Sequence, residues 1–228
     1  MSARLHLIVE GQTEETFANR TLIPHLSHYS VWGNARSVMT SRRRGTIHRG
    51  GLVSYGRAKK DVMLWMKEDQ NPDVFFTTMF DLYALPEDFP AYEAARHMTD
   101  PYERVSFLEK AVSEDIGHPR FLPYIQLYEF EALLLADPQK LDIVYFEHAA
   151  AIQKLIGMTS QFASPELIND GEQTAPSKRI IHEISEYEGM KASVGPLIAG
   201  KIGLDALRVK CRHFGEWLNR LEGLGGGA

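Results

Sequence analysis

Two carboxylates lie at the turn that follows the first hydrophobic segment of the chain. Residues 5–9 form the kind of short apolar run that makes a buried strand, and Glu10 follows directly. Gly11 permits a tight turn, and Glu14 comes four residues after Glu10, at the start of a predicted helix. Open α/β sheets bind ligands at the carboxyl ends of their strands. We therefore predict that Glu10 and Glu14 point at one site, whereas Glu15 belongs to the helix start alone.

Three further acids follow later predicted strands. Residues 74–83 are β-branched and aromatic and contain Asp81 near their end. Glu129 and Glu131 fall where a third predicted strand, at 121–127, passes into an apolar helix. If the backbone there is still extended, these two glutamates face the same side, and if the helix has begun, they diverge.

All five of these side chains offer oxygen ligands, which Mg²⁺ or Mn²⁺ prefers and zinc does not. Without a cation, like charges held together would repel and force one group to keep a proton. Two metals about 4 Å apart would support in-line phosphodiester hydrolysis. The nine histidines show no paired ligand spacing. The chain also lacks a Gly-x-x-x-x-Gly-Lys phosphate loop and a Gly-x-Ser-x-Gly elbow, which lowers the NTPase and serine-hydrolase hypotheses.

Two basic segments are candidates for phosphate contact. The first is an arginine-rich loop with glycines on either side, in which a phosphate-facing patch is about as plausible as a solvated surface. The second opens a predicted helix at Ser177, where cations oppose the helix dipole and so suggest an anion partner. The predicted nucleic-acid-binding residues are Arg42, Arg43, Arg44, Arg49, Lys178 and Arg179.

Composition sets broad limits on what the protein is. The chain has 228 residues, 44% of them hydrophobic, and a net charge of -5, so any nucleic-acid surface must be a local patch. Its single cysteine, Cys211, excludes an internal disulfide. No apolar run reaches the ~20 residues that span a bilayer, and no cleavable leader is evident. We therefore expect a cytoplasmic protein that does not bind membranes.

The hydrophobic pattern alternates strands with helices. Strands are predicted at 5–9, 31–39, 74–83 and 121–127, and helices at 14–26, 55–69, 92–98, 102–116 and 204–221. This order predicts an α/β fold with a mainly parallel sheet and helices on both faces. Residues 1–137 would form the α/β core, 138–224 a helical C-terminal extension packed on it, and 225–228 a disordered tail. Residues 163–177 are a candidate lid.

The acidic motifs resemble those of a known family. Val9-Glu10-Gly11-Gln12-Thr13-Glu14, followed by a strand ending in Asp81, resembles the metal-site framework of TOPRIM domains, above all those of OLD-type nucleases. With residues 81–83, 128–134 and 175–179 added, most of the chain resembles a bacterial TOPRIM-like family catalogued only as a domain of unknown function (four-two-seven-six). The resemblance implies a Rossmann-like TOPRIM fold, Mg²⁺ dependence and cleavage of DNA or RNA.

The resemblance also implies roles for particular residues. Glu10 would bind metal or act as acid/base, and Glu14 and Asp81 would be metal ligands. Tyr83 stands where the second aspartate of the TOPRIM Asp-x-Asp pair is expected, so one metal is lost or is completed by Glu129 or Glu131. We predict Glu10 and Lys178 as catalytic residues.

Three functions compete on this evidence. The first is a Mg²⁺-dependent nuclease acting in a bacterial anti-phage defence module, with a separate ATPase partner. The second is a non-catalytic binding or regulatory module that keeps the fold and a weak metal site, which Tyr83 favours. The third is a metal-dependent phosphotransferase or phosphatase, for which the arginine loop would clamp a small substrate.

Overall fold

A computed structural model describes residues 2–38, 52, 54–83, 85–168, 171 and 173–226. In chain order, the elements up to the middle of the chain are β1 (Ala3–Val9), α1 (Gln12–Phe17), a π-helical segment (Ala18–Leu22), α2 (Ile23–Ser27), β2 (Val31–Ser37), α3 (Tyr55–Glu68), β3 (Val74–Asp81), α4 (Tyr92–Ala95), α5 (Pro101–Ile116), β4 (Phe121–Leu122), β5 (Ile125–Gln126) and α6 (Glu131–Leu134).

The rest of the described chain is helical. It contains 3₁₀ segments at Pro138–Ile143 and Phe146–His148, α7 (Ala149–Thr159), a 3₁₀ turn at Pro165–Leu167, α8 (Pro176–Glu183), α9 (Tyr187–Ile202), α10 (Leu204–Lys210), α11 (Arg212–Glu222) and a 3₁₀ turn at Gly223–Gly225. The helix predicted at 204–221 is interrupted at Cys211, whose backbone is extended between α10 and α11. Within the described ranges, no helix is long and apolar enough to cross a bilayer.

The five strands form one parallel sheet in the order β2-β1-β3-β4, with β5 also paired to β3. Strand β1 lies between β2 and β3, with Val9 opposite Ser37 on one side and Met79 on the other. The predicted parallel α/β fold is therefore confirmed. Because parallel strands end at the same edge, Glu10 and Asp81 leave the sheet side by side.

The third predicted strand is broken into two short pieces. Pro123 and Tyr124 separate β4 from β5, and Pro123 has no N–H to donate to a ladder. Thr78 on β3 bridges the gap, because its hydroxyl accepts from the Tyr124 N–H at 2.9 Å and donates to the Tyr124 carbonyl at 3.0 Å. The chain thus stays beside β3 and delivers residues 125–129 to the carboxyl edge.

Helices cover both faces of the sheet, as predicted. One apolar core joins the face that carries Leu5, Leu7 and Val9 to the N-terminal helices and the C-terminal helical portion. The other joins the face that carries Ile8 to helices α3 and α5. The alternation of side chains along β1 divides these residues between the two cores.

Candidate metal centre

Glu10 and Asp81 lie at the ends of neighbouring strands and are joined by a hydrogen bond. The Asp81 backbone N–H donates to Glu10 Oε2 at 3.2 Å. Both side chains are half-buried. The sequence prediction that β1 and β3 bring these acids to one edge is confirmed by the strand pairing.

Glu14 turns back from α1 toward the same edge. Its Oε2 accepts the Gly11 N–H at 2.9 Å, which closes the turn after Glu10 and satisfies a free donor at the helix start. The Glu14 side chain is only 7% exposed. Glu15 was predicted to belong to the helix start alone, but it also contacts strand β2, because its Oε2 accepts the Ser37 N–H at 3.3 Å.

Glu129 and Glu131 diverge, because the chain turns into helix α6 at this point. Glu129 accepts both the backbone N–H (2.7 Å) and the hydroxyl (3.1 Å) of Ser177, so Glu129 caps the start of α8. Glu131 is buried and accepts the Tyr187 hydroxyl at 3.2 Å. Tyr128, just before them, has a positive φ of 62°, a strained conformation of the kind that concentrates at functional sites.

The charges of these five groups lie close enough to perturb one another. We call Glu10, Glu14, Asp81, Glu129 and Glu131 the carboxylate cluster. Burial, followed by the charge of Glu14, raises the pKa of Glu10 to about 8. Burial is also the main cause that raises the pKa of Glu14 to about 7. The pKa of Asp81 is raised well above its ordinary value by burial and then by the charges of the other four acids.

One oxygen of the carboxylate cluster is buried without a protein partner. Asp81 Oδ1 makes no hydrogen bond within the described residues, although buried polar atoms are normally satisfied. A hard divalent cation would supply the missing partner and neutralise the mutual repulsion. The all-oxygen donor set fits Mg²⁺ or Mn²⁺.

The carboxylate cluster is not already assembled around an ion position. In the described part of the chain, no group of three or more His, Cys, Asp or Glu side chains is placed to hold a metal ion. Glu14, Glu129 and Glu131 are each bonded to protein donors. The chemistry of the donor set therefore fits a cation, and its binding would require at least one of these glutamates to change partner.

Sequence reasoning missed a cation beside the carboxylate cluster. Lys191 on α9 places its Nζ 3.5 Å from Glu131 Oε1. Its charge lowers the pKa values of Glu131 and Glu14, opposing the larger effect of burial on both. Tyr187 lies one helical turn before it and bonds the same carboxylate. The Tyr187–Lys191 spacing was the available signal, but only the fold shows that this helix face meets the acids.

The predicted cations of α8 have different surroundings. Arg179 donates from Nε to the Thr174 carbonyl at 2.7 Å and stacks over the Phe162 ring, so packing accounts for its position. Lys178 is exposed on the first turn of the helix. The remaining predicted nucleic-acid contacts, Arg42, Arg43, Arg44 and Arg49, lie outside the described residues.

A family model described as Domain of unknown function (DUF4276) matches residues 9–222. The chain belongs to this family. No match was found among curated proteins, and none was found among solved structures.

The DUF4276 match extends over the whole candidate site. It begins at Val9, immediately before Glu10, and continues past Lys191 to Glu222. In this DUF4276 protein, the backbone of Tyr83 follows the end of strand β3 and pairs with the neighbouring segment, since the Tyr83 N–H donates to the Tyr128 carbonyl at 2.8 Å. The backbone of Tyr83 thus holds the strained residue that precedes Glu129.

Proposed function

We propose that this protein is a divalent-cation-dependent hydrolase that cleaves phosphodiester bonds of DNA or RNA, with Mg²⁺ or Mn²⁺ as its cofactor. The observation that carries the proposal is the position of Asp81 at the carboxyl edge of the sheet, where its N–H bonds Glu10 and its buried Oδ1 has no partner among the described residues. Such an arrangement is costly for folding, and costly arrangements of buried charge concentrate at functional sites. The resemblance of residues 9–14 to TOPRIM domains supports the same chemistry.

The residues of the carboxylate cluster would divide the work. Glu10, Glu14 and Asp81 would hold the cation, with Glu129 or Glu131 as the further ligand. Bound Mg²⁺ would stabilise charge on the phosphate and lower the pKa of an attacking water. The resemblance of its motif to that of TOPRIM domains suggests that Glu10 would bind the metal or act as the general acid/base. Lys178 is exposed on the first turn of α8, the helix that Glu129 caps, and would contact the phosphate.

The proposal places any use of ATP in a separate partner. The chain contains no Gly-x-x-x-x-Gly-Lys segment that would cradle ATP phosphates. A separate ATPase, acting with this protein in an anti-phage module, would then control the hydrolase through ATP.

A non-catalytic metal-binding module is the second candidate function. Tyr83 favours it, since it stands where a second aspartate would complete the Asp-x-Asp pair. The protein bonds of Glu14, Glu129 and Glu131 favour it as well, because they leave few ligands free. Such a module would bind Mg²⁺ without cleaving nucleic acid.

Asp81→Asn tests the proposed function. The change keeps the size of the side chain and removes the charge that a metal requires, so the protein should fold, lose Mg²⁺-induced stabilisation and lose cleavage of plasmid DNA and RNA. Without metal its melting temperature should hold or rise, since one repelling charge has gone. The exposed Asp142→Asn is the matched control and should behave as wild type.

The outcomes separate the two candidates. Cleavage by wild type that Asp81→Asn abolishes supports the hydrolase. Mg²⁺ stabilisation that depends on Asp81 without any cleavage supports the binding module. If Asp81→Asn matches wild type in both measurements, the metal site itself is refuted.

A further inference from the structure

A polar recess lies next to the carboxylate cluster, on the outer side of strand β2. It has a volume of about 460 Å³, within the range of small-ligand sites. Its position follows from the strand register, because Ser37 on its wall pairs with Val9, the residue before Glu10. The residues that line it are Gln12, Glu15, Thr16, Asn19, Arg20 and Ser37.

Among the described residues, helix side chains rather than a further strand lie along the outer side of β2 and shape the recess. Asn19 accepts the Ala35 N–H at 2.9 Å and donates to the Ala35 carbonyl at 3.2 Å, as a neighbouring strand would. Glu15 accepts the next outward-facing N–H, that of Ser37. These bonds hold Asn19 and Glu15 in the wall and use both polar atoms of Asn19, whereas the Oε1 of Glu15 has no bond to a described residue.

Three other side chains of the recess are not committed in this way. Gln12, Thr16 and Arg20 follow one another at intervals of four residues and form a stripe along α1 and the π-helical segment. The stripe carries an amide, a hydroxyl and a guanidinium, all hydrogen-bond donors. Arg20 is exposed and makes no hydrogen bond or ion pair with any described residue. The π-helical segment that contains it is a feature frequent at functional sites.

We propose that this recess binds the sugar-phosphate strand beside the phosphodiester that the carboxylate cluster holds, and that the strand is single-stranded. This inference rests on the proposed function. Donors in a row suit the acceptor oxygens of successive sugars and phosphates, and Arg20 supplies the positive charge. A recess of this size accepts a nucleotide of a flexible strand, whereas a paired duplex presents its backbone on a rigid, convex surface.

The test measures how tightly the full chain binds a fluorescent single-stranded 20-mer, and compares Arg20→Gln with wild type. Fluorescence anisotropy in Ca²⁺ is the readout of binding. Loss of one phosphate contact should weaken binding about fivefold and reduce the slope of log affinity against log salt by about 0.7. Arg20→Lys should keep most of the salt slope. Arg220→Gln, which removes an equally exposed arginine from α11, is the matched control and should leave both values unchanged.

The same strand annealed to its complement tests the single-strand assignment. We expect weaker binding of the duplex and little effect of Arg20→Gln on it. An equal effect on single strand and duplex overturns that assignment. A wild type that does not bind the 20-mer, or an Arg20→Gln variant indistinguishable from Arg220→Gln, overturns the recess as a strand site.

Failure of the recess and failure of the proposed hydrolysis give different results. If Arg20→Gln weakens binding but wild type cleaves nothing in Mg²⁺ or Mn²⁺, the recess binds a strand and the hydrolysis is refuted. If wild type cleaves the 20-mer and Arg20→Gln changes neither binding nor KM, the hydrolysis stands and the recess inference is refuted.

Discussion

The protein buries carboxylates in two places, and the neighbours of those carboxylates differ between the two. In the carboxylate cluster, Glu10 and Asp81 lie side by side, and Asp81 Oδ1 is buried without a partner among the described residues. In the second place, Glu109 and Glu166 face donors. We call Glu109, Glu166 and His213 the buried latch, because they join helix α5 and the 165–167 turn to the start of α11.

Glu109 and Glu166 of the buried latch both bond protein donors. Glu166 accepts the backbone N–H groups of His213 and Phe214, both at 2.9 Å. Glu109 accepts the Ile125 N–H and bonds His213 Nε2, both at 2.8 Å. The His213 ring stacks on Tyr124, which in turn stacks on Trp217.

The causes of the pKa shifts separate the two places. Burial raises the pKa of Glu166, but its backbone and His213 contacts all oppose that rise. For Asp81 every neighbouring charge adds to the effect of burial. Donors offset the cost of burying Glu166, whereas neighbouring acids add to the cost of burying Asp81, which favours its protonated form or, as we propose, a bound cation.

The largest expected effect is on the buried latch. Glu166→Ala leaves two buried N–H groups without an acceptor and should cost about 3 kcal/mol of unfolding free energy. At about 2–4 °C per kcal/mol for a chain of this size, the melting temperature should fall by about 6–12 °C. Glu216→Ala, which removes an exposed acid from α11, the helix whose first N–H groups Glu166 accepts, should cost about 0.5 kcal/mol or less. Equal losses in the two variants would refute the stabilising role of the buried latch.

A second prediction concerns the pH dependence of stability without metal. Because Glu10 and Glu14 have raised pKa values of about 8 and 7 in the folded state, folding binds protons between their ordinary pKa of 4.5 and those values. Unfolding free energy should therefore fall as pH rises from about 5 to 8, by up to about 1.4 kcal/mol per pH unit for each titrating group. Urea unfolding at several pH values in EDTA measures this.

Other groups contribute with the same sign and need a control. Burial lowers the pKa of His213, but Glu109, Glu166 and Glu216 together raise it above its ordinary value of 6.5, so stability from these contacts is also lost as pH rises above 6.5. Glu10→Gln isolates the carboxylate cluster and should flatten the slope. Mg²⁺ at pH 8 should restore stability to wild type and less to the variant. Identical slopes in the two proteins would refute the raised pKa of Glu10.

Lys191→Met tests how the charge of Lys191 affects Mg²⁺ binding by the carboxylate cluster. At pH 9, loss of the cation should tighten Mg²⁺ binding about fivefold, because the acids are ionised and one repulsion has gone. At pH 6 the affinity for Mg²⁺ should change little. The acids then carry protons, and Mg²⁺ displaces protons whose total charge is similar to its own. Lys201→Met on the same helix is the exposed control for calorimetric titration. A change of equal size at both pH values would indicate a purely structural role for Lys191.

The smallest effect is expected at Tyr83. Tyr83→Asp would place a second acid two residues after Asp81 and should tighten Mg²⁺ binding a few-fold at pH 8, while lowering the metal-free melting temperature slightly through added repulsion. Tyr83→Asn controls for loss of the ring. If both variants bind Mg²⁺ alike, the side chain at position 83 does not reach the metal.

The strands that carry the acids could be predicted from the sequence, because a parallel strand buried on both faces consists of a nearly continuous run of apolar residues. Residues 5–9 and 74–80 come close to that property, broken only by His6, Thr77 and Thr78, and an acid follows each run at the sheet edge. A parallel sheet then follows, because helices separate the strands. The convergence of Glu10 and Asp81 on one edge was thus predictable from local patterns alone.

Tertiary structure decided the partners of those acids, because they come from segments far apart in the chain. Only the fold brings Ser177 to Glu129 and Lys191 to Glu131, across 48 and 60 residues. The break at Pro123 could be foreseen from its missing N–H, but its repair by Thr78 depends on the register of a neighbouring strand. The sequence therefore determined which acids reach the sheet edge, and the packing of the C-terminal helices determined which of them remain without a partner.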